Sequence, residues 1–133
     1  MAAQVQSLPA RSSLLRRALQ ADAVVSGLSG IACFADAGWL TAQLGITSAA
    51  VYALGAIMLG YAAALGVVSR RDPVDRRAGI VAVVLNADWV IASVAILATG
   101  WLPLTSAGWW LVAIQAAVVA VLAEAQFVGL RRR

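Results

Sequence analysis

The sequence of 133 residues contains no histidine and no lysine, and its only cysteine is Cys33. Without histidine the chain cannot form a Ser-His-Asp triad, a bis-histidine haem site or a zinc site of the Cys/His type. A single cysteine cannot form an internal disulfide bond. We therefore expect no cofactor and no metal. Because no nucleophile-base pair and no metal-ligand set is visible, we also expect no enzyme activity.

Charged residues are scarce, at 12% of the chain, whereas 62% of the residues are hydrophobic and the mean hydropathy is +0.88. A soluble domain carries roughly a quarter charged residues. One soluble core in so short a chain cannot bury this much apolar surface, so lipid is the expected solvent. The length indicates a single domain.

Four apolar segments are long enough to cross a hydrocarbon core of ~30 Å as helices. We predict these spans at residues 19–37, 49–68, 79–99 and 107–130. Residues 1–18 would form a basic N-terminal segment and residues 131–133 a basic tail. A weak internal repeat, in which arginine pairs and a Gly-Trp-Leu turn recur, suggests two similar hairpins. The predicted fold class is all-α: a polytopic membrane protein with four transmembrane helices in a bundle of two helical hairpins.

All ten arginines lie on one side of these spans. The positive-inside rule assigns that side to the cytoplasm, so both termini should be cytoplasmic in a multi-pass protein of the cell inner membrane. The arginines would attract anionic lipids, at ~1 kcal/mol each near the surface. No folded reader of nucleic acid is visible, so we expect no nucleic-acid partner. An aromatic belt of interface anchors is predicted on the other side, from Trp39, Trp101, Trp109 and Trp110.

Asp88 is the acid that the sequence places deepest, because it lies eleven residues beyond Arg77 in the third span. A charged aspartate near the midplane costs about 2.5–3.5 kcal/mol on insertion scales. Three outcomes stay open: a protonated acid, an acid facing a wet cavity, or hydrogen bonds to polar groups of other helices. The partners available by type are Asn86, Gln115, Ser93 and Tyr61. Asn86 lies two residues away, on nearly the opposite face of the helix.

Two further acids, Asp22 and Glu124, lie five and seven residues from Arg17 and Arg131. Those arginines could fold back and pair with them near the headgroups. If the acids are functional instead, intramembrane acids are typical of proton and ion pathways. The candidate intramembrane polar or proton site then consists of Asp88, Asn86, Gln115, Glu124 and Asp22. Trp89, beside Asp88, is either a packing residue or part of a pocket wall.

Small residues in the second span predict close helix approach. Ala56, Gly60 and Ala64 give two small-xxx-small steps, which we interpret as a helix-packing face.

Four short motifs occur along the chain: Leu19-Gln20-Ala21-Asp22, Asn86-Ala87-Asp88-Trp89, Gly100-Trp101 and Gln126-Phe127-Val128-Gly129-Leu130-Arg131-Arg132. Over most of the length they resemble a widespread family of small four-span integral membrane proteins of bacteria. The resemblance implies the four-span fold and carries no activity with it. Small multidrug resistance transporters are similar in size and span number. Their essential glutamate lies in the middle of the first span, whereas Asp22 is near the cytoplasmic edge, so we reject that match.

Two functions follow as expectations. The first is a non-catalytic accessory or assembly subunit that packs through its small-residue faces in a homo-oligomer or a larger membrane protein complex. The second is an oligomeric proton-coupled transporter or channel in which Asp88 carries the proton. Four short helices leave little room for a pore within one chain, so the second also requires an assembly.

Overall fold

The structure is a computed structural model that describes the backbone from Ala2 to Arg132 and the side chains from Leu14 to Arg132. The described chain is all-α, and its helices are α1 Ala2–Ala35, α2 Ala37–Leu44, α3 Ser48–Ser69, α4 Arg76–Thr99 and α5 Ser106–Arg131. Four stretches in this part of the chain are long and apolar enough to cross a membrane: Leu14–Ala35, Ser48–Ser69, Arg76–Thr99 and Ser106–Arg131. The predicted four-span architecture is thereby confirmed.

The ends of the spans follow from local capping chemistry. Thr47, Asp75 and Thr105 each accept a hydrogen bond, through a side-chain oxygen, from a backbone N–H in the first turn of the helix that follows. These bonds satisfy donors that a helix start leaves unpaired. Gly45 and Gly100 end α2 and α4 with φ values of 68° and 64°, a left-handed conformation that glycine adopts without strain.

The first span differs from the prediction of residues 19–37. Its helix begins well before residue 19 and ends at Ala35, and Asp36 interrupts it with a non-helical conformation (φ −131°, ψ 36°). The short helix α2 follows at once and packs against α3 and α5. Eight residues are too few to show a helical period, and from the sequence Trp39 indicates only the membrane boundary.

The bundle is built from two hairpins, as predicted. Helix α1 pairs with α3, α4 pairs with α5, and α1 also packs along α5, which joins the hairpins. Within the described residues α3 and α4 do not pack closely, although they are consecutive in the chain. The two helices therefore leave a gap between them, and the site described below lies beside this gap.

Glycines allow close approaches of α1 to α3 and of α1 to α5. A Cβ atom built on Gly30 would lie 2.9 Å from the carbonyl oxygen of Gly55, and one built on Gly55 would lie 3.1 Å from that of Gly30. At the crossing of α5 and α1, a Cβ on Gly129 would lie 2.9 Å from the backbone nitrogen of Leu15. Backbone meets backbone at both crossings, so a side chain would force the helices apart.

The predicted packing face of α3 is not used inside the chain. Its three small residues are exposed on the outside of the bundle, and a Cβ built on Gly60 would have no neighbour within 4 Å. These residues are Ala56, Gly60 and Ala64.

Interhelical hydrogen bonds close both ends of the bundle. We call the end of the bundle that contains Arg16 and the α3–α4 loop the arginine end. There the Arg16 guanidinium donates to the carbonyl oxygens of Ser69 and Arg71, both at 2.9 Å. We call the opposite end the tryptophan end. There the Thr105 N–H donates to the carbonyl oxygen of Gln43 at 3.0 Å. The four predicted belt residues are exposed at the tryptophan end: Trp39, Trp101, Trp109 and Trp110.

The interior has an apolar cluster towards each end. The cluster at the arginine end contains Leu15, Leu19, Leu65, Val74, Ala82 and Leu130, and the one at the tryptophan end contains Cys33, Ala37 and Val51. Between them, all four spans contribute polar side chains.

Candidate functional site

The polar cluster between the two apolar clusters is centred on the carboxylate of Asp22. It consists of Asp22 and Ser26 from α1, Tyr61 from α3, Asn86 from α4 and Gln126 from α5. Asp22 is only 1% exposed and Gln126 is completely buried. One aspartate therefore ties the four spans together.

The hydrogen bonds around Asp22 are short and unevenly divided. Its Oδ2 atom accepts from Asn86 Nδ2 at 2.7 Å, from Gln126 Nε2 at 2.8 Å and from the Tyr61 hydroxyl at 3.0 Å. Its Oδ1 atom accepts only from the Ser26 hydroxyl, at 3.2 Å. Asn86 Nδ2 also donates to Gln126 Oε1 at 3.0 Å, which links the two amides directly. Four donors thus stabilise the ionised carboxylate, and hydrogen bonds to charged groups are the stronger class.

Helix geometry explains why these side chains converge. Ser26 follows Asp22 by four residues, which places both on one face of α1. On α4, Asn86 shares the buried face with Ala82 and Ser93, four residues before it and seven after. Small neighbours on this face bring the helices near enough for short polar side chains to meet.

Within the described residues no arginine neutralises Asp22. The one ion pair in this part of the chain joins Arg16 to Asp72 at 3.7 Å, and the Arg16 guanidinium also bonds the carbonyls at the arginine end. Arg17, the expected partner of Asp22, is exposed. The interfacial pair expected for Asp22 is therefore replaced by a buried carboxylate held by neutral donors.

A cleft runs beside the polar cluster, where α3 and α4 stand apart. It has a volume of about 180 Å³, and Ser26, Tyr61 and Asn86 form its polar wall. Ile57 and Leu85, which are both exposed, lie on its α3 and α4 sides. The cleft therefore opens on the side of the bundle, towards the surrounding lipid.

A second cavity, of about 350 Å³, lies in the tryptophan half of the bundle and is lined mainly by apolar side chains. It shares Met58, Trp89 and Gln115 with the cleft, so the two spaces adjoin there. Trp89 Nε1 donates to Gln115 Oε1 at 2.8 Å across this boundary. Trp89 thus forms part of a pocket wall, one of its two predicted roles.

The five residues of the predicted intramembrane site do not form one group. Asn86 and Asp22 belong to the polar cluster, and Gln115 lines the cleft. Asp88 and Glu124 are exposed on the outer surface, and neither carboxylate takes part in a hydrogen bond or ion pair among the described side chains. The Arg131 guanidinium, expected to pair with Glu124, lies instead over the ring of Phe127, 5.7 Å from its centroid.

Of the three outcomes left open for Asp88, hydrogen bonds to Asn86, Gln115, Ser93 or Tyr61 do not form among the described side chains. Asn86 and Tyr61 donate hydrogen bonds to Asp22 instead, and the Ser93 hydroxyl donates to the Trp89 carbonyl oxygen at 2.8 Å. Gln126 lies outside the predicted site. A signal for it existed, because a glutamine within an apolar span needs a hydrogen-bond partner, but the sequence does not show which helix supplies one.

No family model, no curated protein and no solved structure matches this chain. The resemblance of its motifs to a bacterial family therefore gains no support from these comparisons. The four candidate membrane-spanning helices identify a small multi-pass membrane protein, and they do so on length and composition.

Proposed function

We propose that this protein is a non-catalytic accessory or assembly subunit that packs against other copies of itself or a larger membrane protein complex. One observation carries the proposal: Asp88, halfway along α4, is exposed on the outside of the bundle. An isolated chain would present this carboxylate to the hydrocarbon core.

The energy of that arrangement favours a covered face. A carboxylate at mid-span costs about 2.5–3.5 kcal/mol on insertion scales, and no described side chain compensates it. A neighbouring helix can supply donors and exclude lipid, as buried polar groups in spans require. The outward-facing small residues of α3 fit the same interpretation, because a Cβ on Gly60 meets open space within its own chain.

Location and orientation belong to the same proposal. With the arginine end in the cytoplasm, both termini lie inside and the arginines meet the anionic lipids of the inner membrane. The exposed tryptophans then lie at the opposite interface, where such rings are enriched. Cysteines introduced one at a time at each end, and labelled in intact cells, test this orientation; the native Cys33 is buried.

The assembly is tested by extracting the protein into native lipid discs and identifying, by mass spectrometry, what co-purifies. We expect either several copies of the chain or a second membrane protein, and we expect Asp88→Leu to reduce the assembled fraction. Asp36→Leu is the matched control, because Asp36 is also exposed but makes no side-chain capping bond at the boundary of α2. Single copies in the discs, or an unchanged assembly in Asp88→Leu, would contradict the proposal.

The same exposed acid favours a second candidate, a proton-coupled oligomeric transporter or channel. Because Asp88 faces away from its own bundle, a proton path through it would have to run between copies. Asn86 and Gln115 line the internal cleft and would not share that path. Proteoliposomes with an internal pH dye provide the test: flux should occur in the wild type and disappear in Asp88→Asn.

A further inference from the structure

We propose that the cleft between α3 and α4 binds an organic ammonium ion, a primary amine with an apolar tail. The inference is independent of the assembly function, because it rests on the interior of one chain. The ammonium group would lie against Tyr61, Asn86 and Ser26, and the tail would occupy the apolar cavity beyond Trp89.

The direction of the hydrogen bonds favours a ligand that donates hydrogen bonds. An ionised carboxylate only accepts, so Asp22 draws the hydroxyl protons of Tyr61 and Ser26 and one amide proton of Asn86 towards itself. The second amide proton of Asn86 goes to Gln126. The Asn86 Oδ1 atom also accepts from the Tyr61 hydroxyl at 3.3 Å, so Asp22 and Asn86 share that proton. On the cleft side these three residues then offer the remaining lone pairs of the two hydroxyl oxygens and of Asn86 Oδ1. A ligand that binds to these oxygens must therefore donate hydrogen bonds.

The negative charge of Asp22 favours a cationic ligand. Asp22 lies directly behind the polar wall, and no described arginine is paired with it. In surroundings of low dielectric constant this charge attracts a cation more strongly than it would in water. A primary ammonium group supplies three N–H donors and a positive charge together, which matches a wall of acceptors backed by a carboxylate.

The adjoining space selects an apolar tail. An apolar cavity of ~150 Å³ is enough to bind benzene. The cavity beyond Trp89 has about 350 Å³ and an apolar lining, so it can hold an alkyl chain of several carbons. Predominantly apolar walls with a few placed polar groups are typical of small-molecule sites. A bare inorganic cation would leave this cavity unused.

Trp89 marks the passage between the two spaces. Its indole N–H is bonded to Gln115, and both residues border the cleft and the cavity. A ligand that reaches from the polar wall into the apolar cavity must pass this pair. The indole face is also a favourable neighbour for a cation.

The test uses the full chain in lipid nanodiscs and equilibrium dialysis of isotope-labelled hexylamine, with empty discs as the reference for partition into lipid. Hexylamine is protonated at neutral pH, as a lysine side chain is. Two probes of the same length separate the contributions: 1-hexanol lacks the charge, and hexyltrimethylammonium lacks the N–H donors. We expect saturable binding of hexylamine above the empty discs, and weaker binding of both other probes.

Two variants locate the site. Asp22→Asn removes the charge and Tyr61→Phe removes an acceptor, and each should weaken hexylamine binding about ten-fold or more, the effect of losing one charge-assisted interaction. Asp36→Asn is the control for loss of one negative charge and should bind as the wild type does. Tryptophan fluorescence checks that each variant is folded, and Tyr61→Phe decides the matter if Asp22→Asn does not fold.

Three results would overturn the proposal. One is equal binding of 1-hexanol and hexylamine, which would indicate a site for apolar chains alone. Another is unchanged binding in folded Asp22→Asn or Tyr61→Phe. The third is displacement of hexylamine by sodium chloride but not by choline chloride at the same concentration, which would indicate a site for an inorganic cation.

Discussion

A close contact between α1 and α3 permits a quantitative test of how this bundle is held together. The perturbation is Gly55→Ala. The added methyl group would lie 2.7 Å from Cys33 Cβ, 3.0 Å from a ring carbon of Phe34 and 3.1 Å from the carbonyl oxygen of Gly30. The helix cannot relieve these contacts by rotating one flexible side chain, because the Gly30 contact is with backbone.

The control is Gly60→Ala, five residues further along the same helix. A Cβ there meets nothing within 4 Å. Both variants gain the same intrinsic helix preference of alanine over glycine, ~0.5–1 kcal/mol. Only Gly55→Ala adds an overpacking penalty of about 1–3 kcal/mol. The difference between the two variants therefore isolates the steric contribution at the crossing of α1 and α3.

The assay is reversible unfolding in mixed micelles as the fraction of a denaturing detergent is raised, followed by tryptophan fluorescence in dilute, monomeric samples. We expect Gly55→Ala to have a free energy of unfolding lower than that of Gly60→Ala by about 1–3 kcal/mol. Equal stabilities, or a greater loss in Gly60→Ala, would refute the close backbone contact at Gly55 and the outward direction of Gly60.

Three further variants are tested in the same assay, and the third is tested by trypsin cleavage as well. Asn86→Leu should lower the free energy of unfolding by about 2–3 kcal/mol, since it removes one hydrogen-bond donor from the buried carboxylate of Asp22. If Asn86→Leu lowers the free energy of unfolding no more than Asp88→Leu does, the central role of Asp22 is contradicted. Thr105→Val should cost about 1 kcal/mol through loss of the cap of α5, and a Thr105→Ser variant that is equally unstable would speak against capping. Arg16→Gln should leave stability nearly unchanged, because Arg16 is itself only half-buried and its charged partner Asp72 is exposed. The variant should nevertheless speed trypsin cleavage after Arg71, whose carbonyl oxygen Arg16 binds; unchanged cleavage would show that this bond does not restrain the loop.

Much of the fold could be predicted from the sequence, because membrane spans are recognisable by their length and hydropathy. The second, third and fourth spans begin and end within three residues of the predicted bounds, at positions fixed by caps such as Thr47 and Gly100. Helix α2 could not be predicted in this way. It is too short for a periodic pattern and is stabilised by packing on α3 and α5.

The site was harder to predict, because the sequence gives depth and helix face but not the neighbours of that face. Asp88 is the deeper acid, which made it the stronger candidate, yet its side of α4 points outward. Asp22 is shallower, and its donors Asn86 and Gln126 lie 64 and 104 residues away in the chain. Nothing local to Asp22 indicates those partners, so only the assembled bundle identifies it as the centre.

The long sequence separation within the polar cluster has a consequence for synthesis. Helices leave the ribosome in order, so Asp22 enters the membrane with only Ser26 of the same helix as a donor and then gains Tyr61. Its last donor, Gln126, arrives with the final helix. A nascent or truncated chain that lacks α5 therefore carries an incompletely solvated anion. Quality-control proteases that sense polar groups within the bilayer would distinguish such a chain from the finished protein.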